Sequence, residues 1–402
     1  MNIFSKIYCR AFQGAFRIAQ PFLPYREPKI VPSCGDLKQV FEKEKLKSVL
    51  VVTDPGIVKA GLLAPVEKVL RDSGVAFTLY AETQPNPTVE NVETALKIYQ
   101  ENHCNGLIAV GGGSAMDCAK AVGARLAYPK RSVIRLCGKL KVWRKLPTLI
   151  AIPTTAGTGS ETTLAAMVTD PATQRKYAMM SFPLIPRYAV LDAELTYSLP
   201  PHLTASTGVD ALTHAVEAYI GRATTKETRQ LALEATRLVF QNVEKAYHNG
   251  NDHEARKNML HAAYKAGIAF SKSYVGYIHG LAHALGGKYG TPHGLANAVI
   301  MPYVLEAYGK TVHKKLHRLA VAAGVATRKE LPEVAAGKFI QAVKTLNANM
   351  QIPQKLTGIQ KEDIPELAKN AARESNPLYP VPKLMTRREL ESLYYQIADW
   401  SE

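Results

Sequence analysis

The sequence predicts two domains of different class: an N-terminal α/β domain built on a parallel sheet, then an all-α C-terminal domain. Three observations carry this. Up to residue 200, short β-branched runs alternate with stretches of helical spacing, the pattern of strands joined by crossover helices. Beyond Pro200-Pro201 helical spacing continues almost throughout, and a proline pair is where a regular element stops. The 402 residues also suit two domains, at about 100–200 residues each. The domains are drawn at 1–200 and 201–402, with residues 1–30 as an amphipathic extension of the first.

Taken in order, apolar positions Ile3, Phe4, Ile7, Tyr8, Phe12, Ala15, Phe16, Ala19 and Phe22 form a helical stripe, with Lys6, Arg10 and Arg17 among them. Packing on the body or on a second subunit is the simpler reading; contact with a membrane surface is the other. Residues 48–53 read as a strand and Val58 to Leu70 as a helix. Residues 75–80 form a second strand, Val89 to Tyr99 a helix, and Gly106 to Val110 a third strand ending at a glycine cluster. A fourth strand spans Thr148 to Pro153. The strands are apolar on both faces, as expected for a sheet covered on both sides. The basic run from Lys130 to Lys145 reads as a solvated loop.

Composition narrows the class. Hydrophobic residues make up 47% and charged residues 21%, values of a folded chain that exclude disorder and collagen. The five cysteines are scattered without a CxxC pair, which argues against a zinc ribbon or disulfide framework and for a reducing compartment. No apolar run reaches the ~18 residues of a membrane span, and no signal peptide is evident, so a cytoplasmic location is expected. The net charge of +16 is spread along both halves. It would attract anionic cofactors; no nucleic-acid-binding motif accompanies it.

Three constellations carry chemistry. Gly111-Gly112-Gly113-Ser114 follows a strand and opens a helix pattern. Glycines let a phosphate approach the backbone closely, and a helix N-terminus offers N–H groups and positive partial charge. Ser114 is placed to cap that helix. The spacing is neither GxGxxG nor a P-loop. Thr154, Thr155 and Thr158, in the run from Pro153 to Glu161, follow another strand. Two such loops at strand ends suit one long ligand, and a dinucleotide has that length. Asp54, just past the first strand, could bind a ribose diol and would repel a 2′-phosphate, favouring NAD over NADP. It could equally be a turn residue before Pro55.

The third constellation is the sharpest. Asp210 and His214 lie four residues apart on a predicted helix, as do His279 and His283, and His293 follows in a proline/glycine turn. One carboxylate and several imidazoles without cysteine suit Fe(II), Zn(II) or Co(II). The general-base Glu of HExxH proteases is missing.

Read together, GGGSAMDCAK, PTTAGTGSE, GVDALTHAVEAY and HGLAHALGGKYGTPHG resemble the iron-activated (group III) alcohol dehydrogenases, in family order from about Asn86 to Met301. The resemblance implies a Rossmann-like dinucleotide-binding domain, an all-helical metal domain, and catalysis in the cleft between them. It implies Asp210, His214, His279 and His293 as metal ligands and places His283 beside the metal without ligating it; an imidazole there, titrating near neutrality, could pass the released proton outward. It places Gly112, Gly113 and Ser114 on the pyrophosphate and Thr154, Thr155 and Thr158 along the cofactor. Asp54 and Asn86 fall on the adenosine side, and Lys176 near the nicotinamide ribose. The implied cofactors are NAD(H) and Fe(II), with Zn(II) as the alternative. The implied partners are a small alcohol or aldehyde and further copies of the chain. Two chemistries on related folds stay open here. One is a dehydroquinate-synthase-like lyase step, whose metal set includes Glu where this chain has Asp210. The other is a hydroxyacid–oxoacid transhydrogenase whose cofactor never leaves.

Overall fold

A computed structural model describes residues 3–173 and 175–400. The chain opens with α1 (Ile3–Ala19) and then enters a compact unit, Pro24–Leu199. Its elements are β1 (Lys29–Val31), α2 (Leu37–Glu44), β2 (Ser48–Val52), α3 (Pro55–Lys59), α4 (Ala64–Asp72), β3 (Ala76–Tyr80), α5 (Val89–Glu101) and β4 (Gly106–Gly111). There follow α6 (Gly113–Ala127), α7 (Val133–Leu136), β5 (Gly138–Lys139), β6 (Thr148–Pro153), β7 (Ala165–Asp170), β8 (Arg175–Met180) and β9 (Tyr188–Val190).

Six strands make one parallel sheet in the order β1-β9-β6-β4-β2-β3. Alternation of side chains divides each central strand between two cores. Leu50, Val52, Leu107, Ala109, Leu149 and Ala151 enter one, and Val49, Val51, Ile108, Val110, Ile150 and Ile152 the other. Both faces are thus covered, which explains the unbroken apolar runs. The chain leaves β2 outward to β3 and returns to the other side of β2 as β4. The carboxyl ends of β2 and β4 therefore flank the point where winding reverses, the usual place for a ligand in such sheets.

The expected strands are β2, β3, β4 and β6. Several features of this unit differ from the sequence reading. The helix expected over 58–70 is two, α3 and α4, broken near Gly61. The edge pair β1 and β9 escaped notice because each is three residues long. A separate small sheet, β5-β8-β7, also escaped, because β8 opens on Arg175-Lys176 and shows little apolar alternation.

The second unit holds the described residues before Pro24 together with those from Pro200 onward. It comprises α8 (Pro201–Ile220), α9 (Lys226–His248), α10 (His253–Ser273), α11 (Tyr277–Tyr289), α12 (His293–Tyr308), α13 (His313–Ala322), α14 (Pro332–Asn349), α15 (Ile364–Ser375) and α16 (Arg387–Ile397). No described helix is long and apolar enough to cross a membrane. Helix α1 was expected with the α/β domain but packs in this helical unit instead. Polar side chains decide it: the Arg10 guanidinium donates to Val381 O at 2.7 Å, and the Gln13 amide donates to Tyr379 O at 2.8 Å. The Gln20 amide reaches Lys272 O at 2.8 Å, and Phe16 meets Tyr274 edge-on with ring centres 4.9 Å apart.

Candidate functional site

Helix α8 is buried nearly all round from Gly208 to Ile220, so any polar residue on it must find partners inside the unit. Asp210, His214 and Glu217 recur at helical spacing along one face. Helix α11 brings His279 and His283, and α12 begins at His293. Two glycines permit the approach. A side chain on Gly294 would start 2.5 Å from Ser206 O of α8, and one on Gly276 would start 2.6 Å from Glu217 Oε1.

These helices bring Asp210, His214, His279 and His293 together, with one donor atom from each lying within 4.8 Å of all the others. His293 Nε2 is 3.6 Å and His279 Nε2 4.0 Å from Asp210 Oδ1. The His214 ring stacks between Phe270, at 4.2 Å, and His279, at 4.6 Å. Asp210, His214 and His279 are buried, whereas His293 is half-buried and His283 exposed. The cluster therefore opens on one side, as a site that must admit a small molecule requires.

Two residues that sequence reasoning missed hold this arrangement. Glu217 accepts from Gly276 N and Ile278 N, both at 2.8 Å, and faces His279 Nδ1 at 2.6 Å. Burial pushes the Glu217 carboxyl up to about 7, against the hydrogen bonds that hold it down. Burial, reinforced by the neighbouring histidines, holds His279 well below its ordinary value. A neutral His279 with Nδ1–H toward Glu217 turns its Nε2 lone pair toward the cluster, which is the form a ligand needs. Fully buried Asn297 places its amide nitrogen 2.7 Å from Asp210 Oδ1, 3.1 Å from His293 Nε2 and 3.3 Å from His279 Nε2. The position of Asn297 one helical turn after His293 was a signal in the sequence; Glu217 gave none, because its partners lie about sixty residues away. The donor set of three imidazoles and one carboxylate, preformed and oriented, fits a divalent transition metal.

His283 does not point its Nδ1 at the cluster. Nδ1 lies 2.5 Å from Glu374 Oε1, which also accepts from Tyr379 OH at 2.6 Å. Desolvation by the surrounding protein draws the His283 imidazole down, but Glu374 outweighs it and the net shift is upward. Its ring stacks on His293, with centres 5.1 Å apart.

In the α/β unit, the loops after β2, β4 and β6 stand side by side at the winding reversal. Thr53 Oγ1 donates to Val110 O at 2.8 Å, and Thr154 N to Gly111 O at 3.1 Å. A side chain at Gly112 would begin 3.6 Å from Thr155 Oγ1, and one at Gly113 would begin 3.4 Å from Thr158 Cγ2. The bare backbone there forms a cradle at the start of α6, which fits a pyrophosphate. Asp54 Oδ1 caps α3, accepting from Gly56 N at 2.9 Å and Ile57 N at 3.1 Å. Its Oδ2 lies 3.3 Å from where a Gly111 side chain would begin, so the turn role and the loop position coexist. Ser114 does not cap α6: Gly112 is the cap residue, and Ser114 Oγ instead accepts from Asn86 N at 3.2 Å. Lys176 is exposed on β8, opposite Thr169, which bridges to Thr88 beyond Asn86. No side-chain contact joins it to the other loops among the described residues.

A buried ionic network, also missed, braces the loop after β6. Lys120, fully buried, donates to Ser160 O at 2.7 Å, Thr163 Oγ1 at 2.8 Å and Ala165 O at 2.8 Å. Asp117 accepts from Ser160 Oγ and Met167 N, both at 3.0 Å. Burial lowers Lys120 to about 8 and raises Glu161, two residues beyond Gly159, to about 7.

Comparison with known proteins agrees with this geometry. Residues 31–193 match the family described as iron-containing alcohol dehydrogenase, and residues 204–398 match the C-terminal part of the Fe-containing alcohol dehydrogenase family. Alcohol dehydrogenase 4 of Schizosaccharomyces pombe is 37% identical over 338 residues, covering 83% of this chain and 79% of its own. The NAD-dependent methanol dehydrogenase of Bacillus methanolicus is 35% identical over 365 residues, covering 89% and 95%. The crystal structure of a 1,3-propanediol oxidoreductase superposes with a TM-score of 0.89 at 32% identity, covering 93% of this chain and 99% of that one. The chain therefore belongs to the iron-containing alcohol dehydrogenase family, oxidoreductases that act on alcohols and aldehydes.

Proposed function

We propose that this chain is an NAD-dependent alcohol dehydrogenase and aldehyde reductase, with Fe(II) held by Asp210, His214, His279 and His293. The observation that carries the reading is the convergence of those four donors, three of them buried, within 4.8 Å. When bound, a divalent cation supplies Lewis acidity to an alcohol or carbonyl oxygen, and NAD supplies the hydride acceptor.

The chain's own residues hold, orient and carry the proton. Glu217 fixes the tautomer of His279, and Asn297 fixes Asp210 by donating to Oδ1. His283, anchored through Nδ1 to Glu374, keeps Nε2 to take the alcohol's proton and hand it to solvent, since imidazole titrates near neutrality. Gly112, Gly113 and Ser114 receive the pyrophosphate, and Thr154, Thr155 and Thr158 line the cofactor. Asp54 takes the adenosine ribose beside Asn86 and disfavours a 2′-phosphate. Lys176 serves the nicotinamide ribose.

The test is the appearance of reduced nicotinamide absorbance with a panel of small alcohols, using anaerobically prepared protein loaded with Fe(II) or Zn(II). Turnover of primary alcohols with added NAD is expected. No turnover across the panel would contradict the proposal, and hydride exchange between two substrates without added NAD would point to a transhydrogenase instead.

A further inference from the structure

Helix α1 is amphipathic in reverse: its polar side faces the protein and its apolar side faces solvent. Cys9 and Gln13 are buried against the helical unit, with Arg10 and Gln13 bonded to carbonyls near Tyr379 and Val381. At 100° per residue, Ile3, Phe4, Ile7, Tyr8, Phe12 and Ile18 occupy about half of the circumference away from that contact. Ile3, Phe4, Ile7, Tyr8 and Ile18 are each 61 to 78% exposed, and Phe22 just beyond is 84% exposed. No charged residue interrupts this arc. A continuous apolar surface of this kind marks an interaction site.

The charges bordering the arc say what covers it. Lys6 and Arg17 are exposed on its flank, and no acidic residue occurs before Glu27. The neighbouring part of the helical unit adds exposed Arg222, with half-buried Lys315 behind it, its ammonium donating to Ile220 O and Gly221 O. Arg222 and Arg17 both press on Lys315, and Arg222 presses on Arg10. A second copy docking arc to arc would set one cationic border against another. An anionic lipid surface complements both parts: acyl chains for the arc and headgroups for the border.

We propose that α1 is an interfacial anchor that seats this protein on anionic bilayers, with its apolar arc at the acyl boundary and Lys6, Arg17 and Arg222 among the headgroups. The experiment is flotation of the full chain with phosphatidylcholine vesicles, with and without phosphatidylglycerol. The chain is expected to float with the mixed vesicles at low salt and to float poorly with phosphatidylcholine alone. Binding is expected to fall at least roughly tenfold in Phe4→Glu/Ile7→Glu and again in Ile18→Ser on the same arc, with the thermal midpoint unchanged. Lys6→Glu/Arg17→Glu is expected to abolish the preference for anionic lipid. Absence of flotation at low salt would overturn the proposal. So would flotation that neither arc variant weakens, and so would sedimentation showing that the arc variants split an oligomer that never bound vesicles.

Discussion

Single side chains decide whether the site is competent. Glu217→Gln sets an amide N–H against donors that now meet a carboxylate, and Asn297→Ala removes the donor to Asp210. Each is expected to weaken metal affinity by roughly 10–100-fold, read by chelator competition without reference to turnover. Asp54→Asn removes the charge beside Gly111. The preference for NAD over NADP, as a ratio of kcat/KM, is expected to fall by at least roughly tenfold, about 1.4 kcal/mol. Glu161 carries a pH signature. Folded, it keeps its proton up to about 7, whereas its ordinary value is 4.5, so folding takes up a proton between them. Stability from this residue is therefore present below about 4.5 and declines as pH rises through about 7. Glu161→Gln is expected to gain on the natural chain across that window, by at most about 3 kcal/mol. Urea unfolding at several pH values reads this directly, and a gain independent of pH would refute it.

At the level of elements, the site depends on how closely helices approach. Gly294 lets the first turn of α12 rest on Ser206 O of α8, and a side chain there would start 2.5 Å from that oxygen. Gly294→Ala is expected to cost about 1–3 kcal/mol of stability and to loosen His293 from Asp210, lowering metal affinity together with the melting temperature. Element patterning also decides what the sequence discloses. The strands β2, β4 and β6 were legible because burial on both faces demands apolar runs, and the histidines of α11 because four-residue spacing puts them on one face. The small sheet was not, because β8 opens on exposed charged residues and is held by pairing with β7 and β5 rather than by its own pattern. Nor was the docking of α1, since the carbonyls that receive Arg10 and Gln13 lie more than 360 residues away in sequence.

Across the whole molecule, the candidate metal cluster and the candidate cofactor loops fall in two different compact units, and each is assembled locally. The α/β unit gathers three loops at one reversal of winding, and the helical unit gathers four donors from three helices. The four clustered donors were visible in the sequence because a metal site demands particular atoms at particular spacing. Glu217, Asn297 and Glu374 were less so, because an orienting partner can come from any nearby segment; Glu374 reaches His283 across 91 residues. The most direct measurement is metal content per chain after anaerobic purification, in the natural protein and in His279→Ala. One equivalent of iron or zinc is expected in the first and loss of nearly all of it in the second. Equal metal content in both would contradict the assignment of this cluster as the metal centre.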